Sequence, residues 1–202
     1  MNPVTGQQPN NLAVGEVVRA STTEFTSQCH RLYEAPPLGS LVRCGSDSTI
    51  YAIVGEVATQ SLDPGRHTIA MGEDEETEAA VYERNPQLTR LLTTEFRCIM
   101  VGHRADGILR RYLAPLPPRI HAFVHQCSAD EVLELSDSLD FMSLLLAAPV
   151  GSQDDVIAAF LRQASLCHPE PRAFLVNAGR ELATLLGGQV QRLNEILRRL
   201  SP

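Results

Sequence analysis

At Cys127 the hydrophobic period of this 202-residue chain changes from two to 3.6, and that change constrains the fold more than any motif does. Before it, residues 12–127 run as short stretches rich in Val, Ile, Thr, Phe and Tyr, punctuated by Pro, Gly and Asp. After it, apolar residues recur at helical spacing between Ser, Pro and Gly. The first pattern predicts strands and the second helices. The fold class read from this is α+β: an N-terminal small antiparallel β-barrel with one helical insertion, then a C-terminal α-helical segment of three to four helices. Residues 1–11 read as a flexible tail, 12–127 as the β domain and 128–202 as the helical domain.

Eight runs have strand character: 12–19, 23–32, 40–44, 49–59, 67–71, 95–103, 108–113 and 120–127. Pro36-Pro37-Leu38-Gly39 cannot continue a ladder, Asp63-Pro64-Gly65 suits a type II turn, and Ala105-Asp106-Gly107 suits a tight hairpin. Between Thr49 and Val57 apolar residues occupy successive positions, which implies burial on both faces. A closed barrel meets that requirement and removes exposed edges. Residues 114–119, Ala-Pro-Leu-Pro-Pro-Arg, form a stiff segment expected to carry the chain across the barrel before the last strand.

The insertion is expected to be helical over 75–92. Glu73, Asp74, Glu75, Glu76 and Glu78 crowd its start, where they complement the helix dipole. These acids lack the spaced Asp/Asn and central Gly of a calcium loop, so a solvated helix start is the reading. Asn85-Pro86 is expected to restart the helix, with Asn as N-cap.

Beyond Cys127, Ser128 with Glu131 spells a capping box, and Val132, Leu135, Leu139 and Met142 share one stripe up to Pro149-Val150-Gly151. Ser152 with Asp155 opens a second helix, and Pro169 and Pro171 mark a third. The last stretch carries Ala183, Leu186, Val190, Leu193, Leu197 and Leu200 at 3-4 spacing, interrupted by Gly187-Gly188. Leu186, Val190, Leu193, Leu197 and Leu200 are therefore the candidate interaction residues, as a core stripe or a self-association stripe. Arg198 and Arg199 sit where cations favour a helix end.

Composition removes several function classes. All seventeen basic residues are Arg, so neither a P-loop lysine nor a Schiff-base amine is available. A net charge of -7 with no Trp argues against a broad nucleic-acid surface. The polar residues 1–11 do not read as a signal peptide, and the apolar run 141–150 is about half the ~20 residues a spanning helix needs. Five Cys without close pairing motifs suit reduced thiols, so a cytoplasmic location and no membrane are expected.

Val14-Gly15-Glu16-Val17-Val18, Thr23-Glu24-Phe25-Thr26, Ala35-Pro36-Pro37-Leu38-Gly39-Ser40-Leu41-Val42 and Tyr51-Ala52-Ile53-Val54-Gly55-Glu56-Val57, in this order, resemble a HAS-barrel. This is the small N-terminal barrel of HerA-type translocases and of rotary ATP synthase nucleotide-binding subunits. The resemblance covers roughly residues 12–127 and carries no catalytic signature. It implies a ring-collar or assembly role, without the ATPase activity, because no Gly-x-x-x-x-Gly-Lys-Ser/Thr follows. The chain is similar to the stand-alone HAS-barrel proteins of cyanobacterial genomes, with a helical tail where the motor would stand.

No catalytic residue, metal ligand set, cofactor or small-molecule substrate is assigned. Cys29-His30 and Cys167-His168 are neighbours in sequence, which on a strand point to opposite faces. His121 and His125, both on one strand, would lie ~13 Å apart at ~3.3 Å per residue, too far for one zinc ion. Glu16, Glu24 and Glu56 come together only if adjacent strands bring them. The expectation is a non-catalytic assembly or interaction module with a protein partner or a second copy. The alternatives are an adaptor acting on an ATPase in trans, and a small Cys/His hydrolase or metal protein.

Overall fold

The computed structural model describes residues 12–45, 48–63, 65, 67–149 and 151–200. The expected tail 1–11 lies outside the described residues, as do Pro64 of the expected turn and Val150 of the expected helix stop. Among the described residues seven strands form one antiparallel sheet: β1 Gly15–Ala20, β2 Glu24–Cys29, β3 Leu41–Cys44, β4 Thr49–Ser61, β5 Leu92–Ala105, β6 Ile108–Arg110 and β7 Phe123–Gln126. Their order is β2-β1-β7-β3-β4-β5-β6, and β5 returns to β2. Six strands thereby close a barrel, with β6 folded back on β5 outside the ring. Asp106 and Gly107, both at positive φ, make the two-residue turn between β5 and β6.

The unbroken apolar runs are explained by two cores. Ile50, Ala52 and Val54 of β4 point into the barrel with Val17, Phe25, Val42, Phe96, Cys98 and Met100. Tyr51 and Ile53, between them, point outward and pack with Ile99 and Val101 against the C-terminal helices. Five helices make that cover: α3 Ala129–Ser136, α4 Met142–Ala147, α5 Gln153–Ser165, α6 Pro171–Leu185 and α7 Val190–Leu200. In α5, Val156, Ile157, Phe160 and Leu161 are buried, each contributing roughly 1.5–3 kcal/mol by leaving water. The change of period at Cys127 is where strand gives way to helix, yet the larger core runs across it.

Five helices stand where three to four were expected, because the first expected helix is two. Ser136 donates its hydroxyl to the Val132 carbonyl at 2.7 Å, and Arg111 takes the carbonyls of Glu134 and Leu135 at 2.6 and 2.8 Å. With its last carbonyls committed, α3 stops, and the chain turns through Ser138–Asp140 before α4. The capping box at Ser128 and Glu131 is present. Ser152 precedes α5 but makes no side-chain cap. Pro171 stands in the first turn of α6.

Two further expectations are corrected. Residues 67–71 form no strand: β4 and β5 stop pairing at Ser61 and Leu92, so the run lies beyond the sheet and is exposed throughout. The insertion is two short helices, α1 Glu78–Arg84 and α2 Leu88–Leu91, rather than one over 75–92. Asn85 ends α1, donating both its backbone N–H and its side-chain Nδ2 to the Val81 carbonyl, and does not cap α2. None of the described helices is both long and apolar enough to cross a membrane.

Candidate interaction groove

The proline segment builds a groove on the barrel. Ala114 is buried in the barrel core, and from there the chain runs through Pro115, Pro117 and Pro118, whose rings fix φ and offer no N–H to a ladder. His121, at φ +66, turns it into β7. Backbone bonds hold this turn to β1: His121 N–H donates to the Val17 carbonyl at 2.8 Å, and Val17 N–H to Ala122 at 2.9 Å. The space between this strap and the β3–β4 turn is a cavity of about 570 Å³. Leu116, Ile120 and Phe123 leave much of their apolar surface in water there, Leu116 at 74% and Phe123 at 58% exposure.

Arg and His side chains supply the polar part of the wall. Arg43 and His125 face each other across the β3–β7 pair, and both line the cavity with Arg119 and His121. Arg43 Nε meets Glu131 Oε1 at 2.9 Å, while Glu131 Oε2 accepts the Ser128 N–H at 2.9 Å. One carboxylate thus closes the capping box of α3 and ties that helix to the barrel beside the groove. His121 Nδ1 lies 2.9 Å from Glu16 Oε2, and His30 meets the Phe123 ring edge-on at 6.0 Å.

The candidate chemical groups are dispersed. His121 stands in the turn before β7 and His125 within it, and the described residues gather no group of three or more His, Cys, Asp or Glu fit for a metal. Glu24 and Glu56 do converge, but on a cation, each 3.7 Å from Arg97 Nε, whereas Glu16 goes to His121. Burial pushes the Cys44 thiol up to about 12 and Cys98 well above its ordinary value. Burial, then the nearby Glu34 carboxylate, pushes Cys29 up to about 11. Such thiols stay protonated at neutral pH and are poor nucleophiles.

One pairing has no signal in the sequence: Ser136 Oγ lies 2.8 Å from His168 Nε2, across 32 residues. A hydroxyl and an imidazole at that distance have the form of a nucleophile and base. Here the serine is buried in the last turn of α3, with the Val132 carbonyl also 2.7 Å from its hydroxyl, and the contact ties α3 to the α5–α6 loop.

The leucine stripe is divided between α6 and α7 and turned mostly inward. Leu186 and Leu200 are buried, Leu193 and Leu197 pack against the same core, and Val190 is 63% exposed. Ile196, outside the expected stripe, is the residue of α7 that is wholly buried. Two ion pairs fasten α7 to the start of α5, Arg192–Asp154 at 2.9 Å and Arg199–Asp155 at 2.8 Å. The sequence matches no protein-family model, and no curated protein matches it.

Proposed function

We propose that this chain is a non-catalytic assembly module that binds another protein chain through the groove beneath the proline strap. The observation that carries this reading is the placement of Leu116, Ile120 and Phe123, three large apolar side chains left in water around one concave site. Surfaces of that kind, rimmed by Arg and polar groups, suit a protein partner. The protonated thiols and the serine–histidine tie support a binding role over a hydrolytic one. The HAS-barrel resemblance belongs to the same proposal, supported by the closed six-strand barrel, and so does a reducing, cytoplasmic setting for five free thiols.

Quantitative affinity capture from the native host, comparing the wild-type chain with Phe123→Glu, tests the reading. The expected result is a defined protein retained by the wild type and lost from a variant of equal melting temperature. Recovery of an ATPase would make the chain an adaptor acting in trans. Identical recoveries from both proteins would remove the groove from the account.

A further inference from the structure

The thirteen-residue strand β4 is paired on both sides only over its first half. Leu41–Cys44 of β3 match residues 50–53 of β4, and Gly39 N–H and Ser40 O meet Val54. Past the irregularity between Val54 and Glu56, residues 56–61 pair with β5 alone, in unbroken register from Glu56–Arg97 to Ser61–Leu92. Residues 56–60 are all exposed, and among the described residues no backbone bond reaches their outer side. Every second residue of an antiparallel strand turns its N–H and C=O outward, so this edge offers a row of open donors and acceptors.

Edges of this sort are ordinarily guarded by Pro, by charge or by a bulge within the run. Here Glu56-Val57-Ala58-Thr59-Gln60-Ser61 has no Pro and a single charge, Glu56, which already faces Arg97 at 3.7 Å. The run is also compatible with itself. In an antiparallel two-fold pairing centred on Ala58 and Thr59, Glu56 of one copy meets Gln60 or Ser61 of the other. The two carboxylates then lie about 14–17 Å apart at ~3.4 Å per residue. Because such an interface uses the same edge of both copies, it closes at two.

We infer that residues 56–61 of β4 pair antiparallel with the same residues of a second copy, joining two barrels by a continuous sheet. This inference rests on the assembly reading, and names a second copy and a surface separate from the groove.

Light scattering with mass determination over a concentration series tests it, using the full chain, Ala58→Lys and Ala58→Glu. Ala58 is exposed and stands beside the two-fold axis, so like charges there confront each other. The expected result is a wild-type dimer, a dissociation constant raised at least tenfold in either variant, and a heterodimer restored on mixing the two. Hydrogen exchange on the wild type gives a readout independent of the variants' folding: protection of the residue 57–60 amides should rise with protein concentration. A monomeric wild type, or protection independent of concentration, overturns the inference. A dimer that both variants leave intact also overturns it, while self-association through another surface would survive.

Discussion

Ser136 Oγ lies 2.8 Å from His168 Nε2 and 2.7 Å from the Val132 carbonyl, within hydrogen-bond reach of both. A serine proton given to Val132 goes with an imidazole that donates from Nε2, and one given to the ring goes with the other tautomer. The ring stacks on Phe174, with centroids 4.0 Å apart, and so joins α3, the α5–α6 loop and α6.

Burial lowers the His168 pKa below its ordinary value, against the smaller opposing influence of Asp137. The unfolded chain then binds a proton at a pH where the folded chain does not. Stability from the neutral ring is therefore fully present above about pH 6.5 and is lost as pH falls through the lower folded-state value. Thermal melts from pH 7.5 to pH 5 should show a declining midpoint, and His168→Gln should flatten that decline. An equal decline in the variant would place the responsible group elsewhere.

Alkylation rates should follow the thiol environments. Cys44 is buried and pushed up to about 12, and complete burial raises Cys98 well above its ordinary value. Cys167, raised by burial alone, remains partly exposed. A brief iodoacetamide pulse at pH 8, read by peptide mass spectrometry, should label Cys167 first and leave Cys44 and Cys98 untouched until the chain unfolds. Early labelling of Cys98 would mean that the barrel opens locally.

The last helix offers a direct comparison between core and surface. Ile196 is fully buried, so Ile196→Ala should cost about 2–5 kcal/mol in denaturant unfolding. Val190, mostly in water, should tolerate Ser with a change within about 0.5 kcal/mol. Similar costs at the two positions would mean that Val190 is covered in solution.

These contrasts show which parts of the fold could be read from the chain. The strands were legible because their signals are local: Asp106-Gly107 forces the β5–β6 hairpin, and successive apolar residues from Ile50 to Val54 demand cover on two sides. What covers the outer side was not, since Tyr51 and Ile53 meet helices more than eighty residues later. The helix break after Ser136 was hidden for a similar reason: Arg111, which takes the terminal carbonyls, comes from beyond β6. At the groove, the proline strap announced an extended segment, but the concavity depends on Ala114 being drawn into the barrel. On α7 the stripe of Leu193, Leu197 and Leu200 faces the core as a helical period requires, and Ile196, on the same face, completes it, while Val190 at the helix start stays in water.

At Gly39 the approach to β3 lies directly against the backbone of α5, and this yields the sharpest stability prediction. Its φ of +81 lies in the left-handed region, and a Cβ there would stand 2.5 Å from the Phe160 backbone nitrogen and 2.6 Å from Ala159 Cβ. Gly107 also has positive φ, +76, but an added Cβ would meet nothing within 4 Å. Gly107→Ala should therefore cost only the left-handed strain, about 1–2 kcal/mol. Gly39→Ala carries the same strain and must also push α5 away from the barrel, loosening Phe160 from Phe141, whose ring it meets edge-on at 5.5 Å. Paired denaturant melts should put Gly39→Ala at least ~2 kcal/mol below Gly107→Ala. If the two variants lose equal stability, α5 does not seat on the β3 approach as tightly as this backbone contact requires.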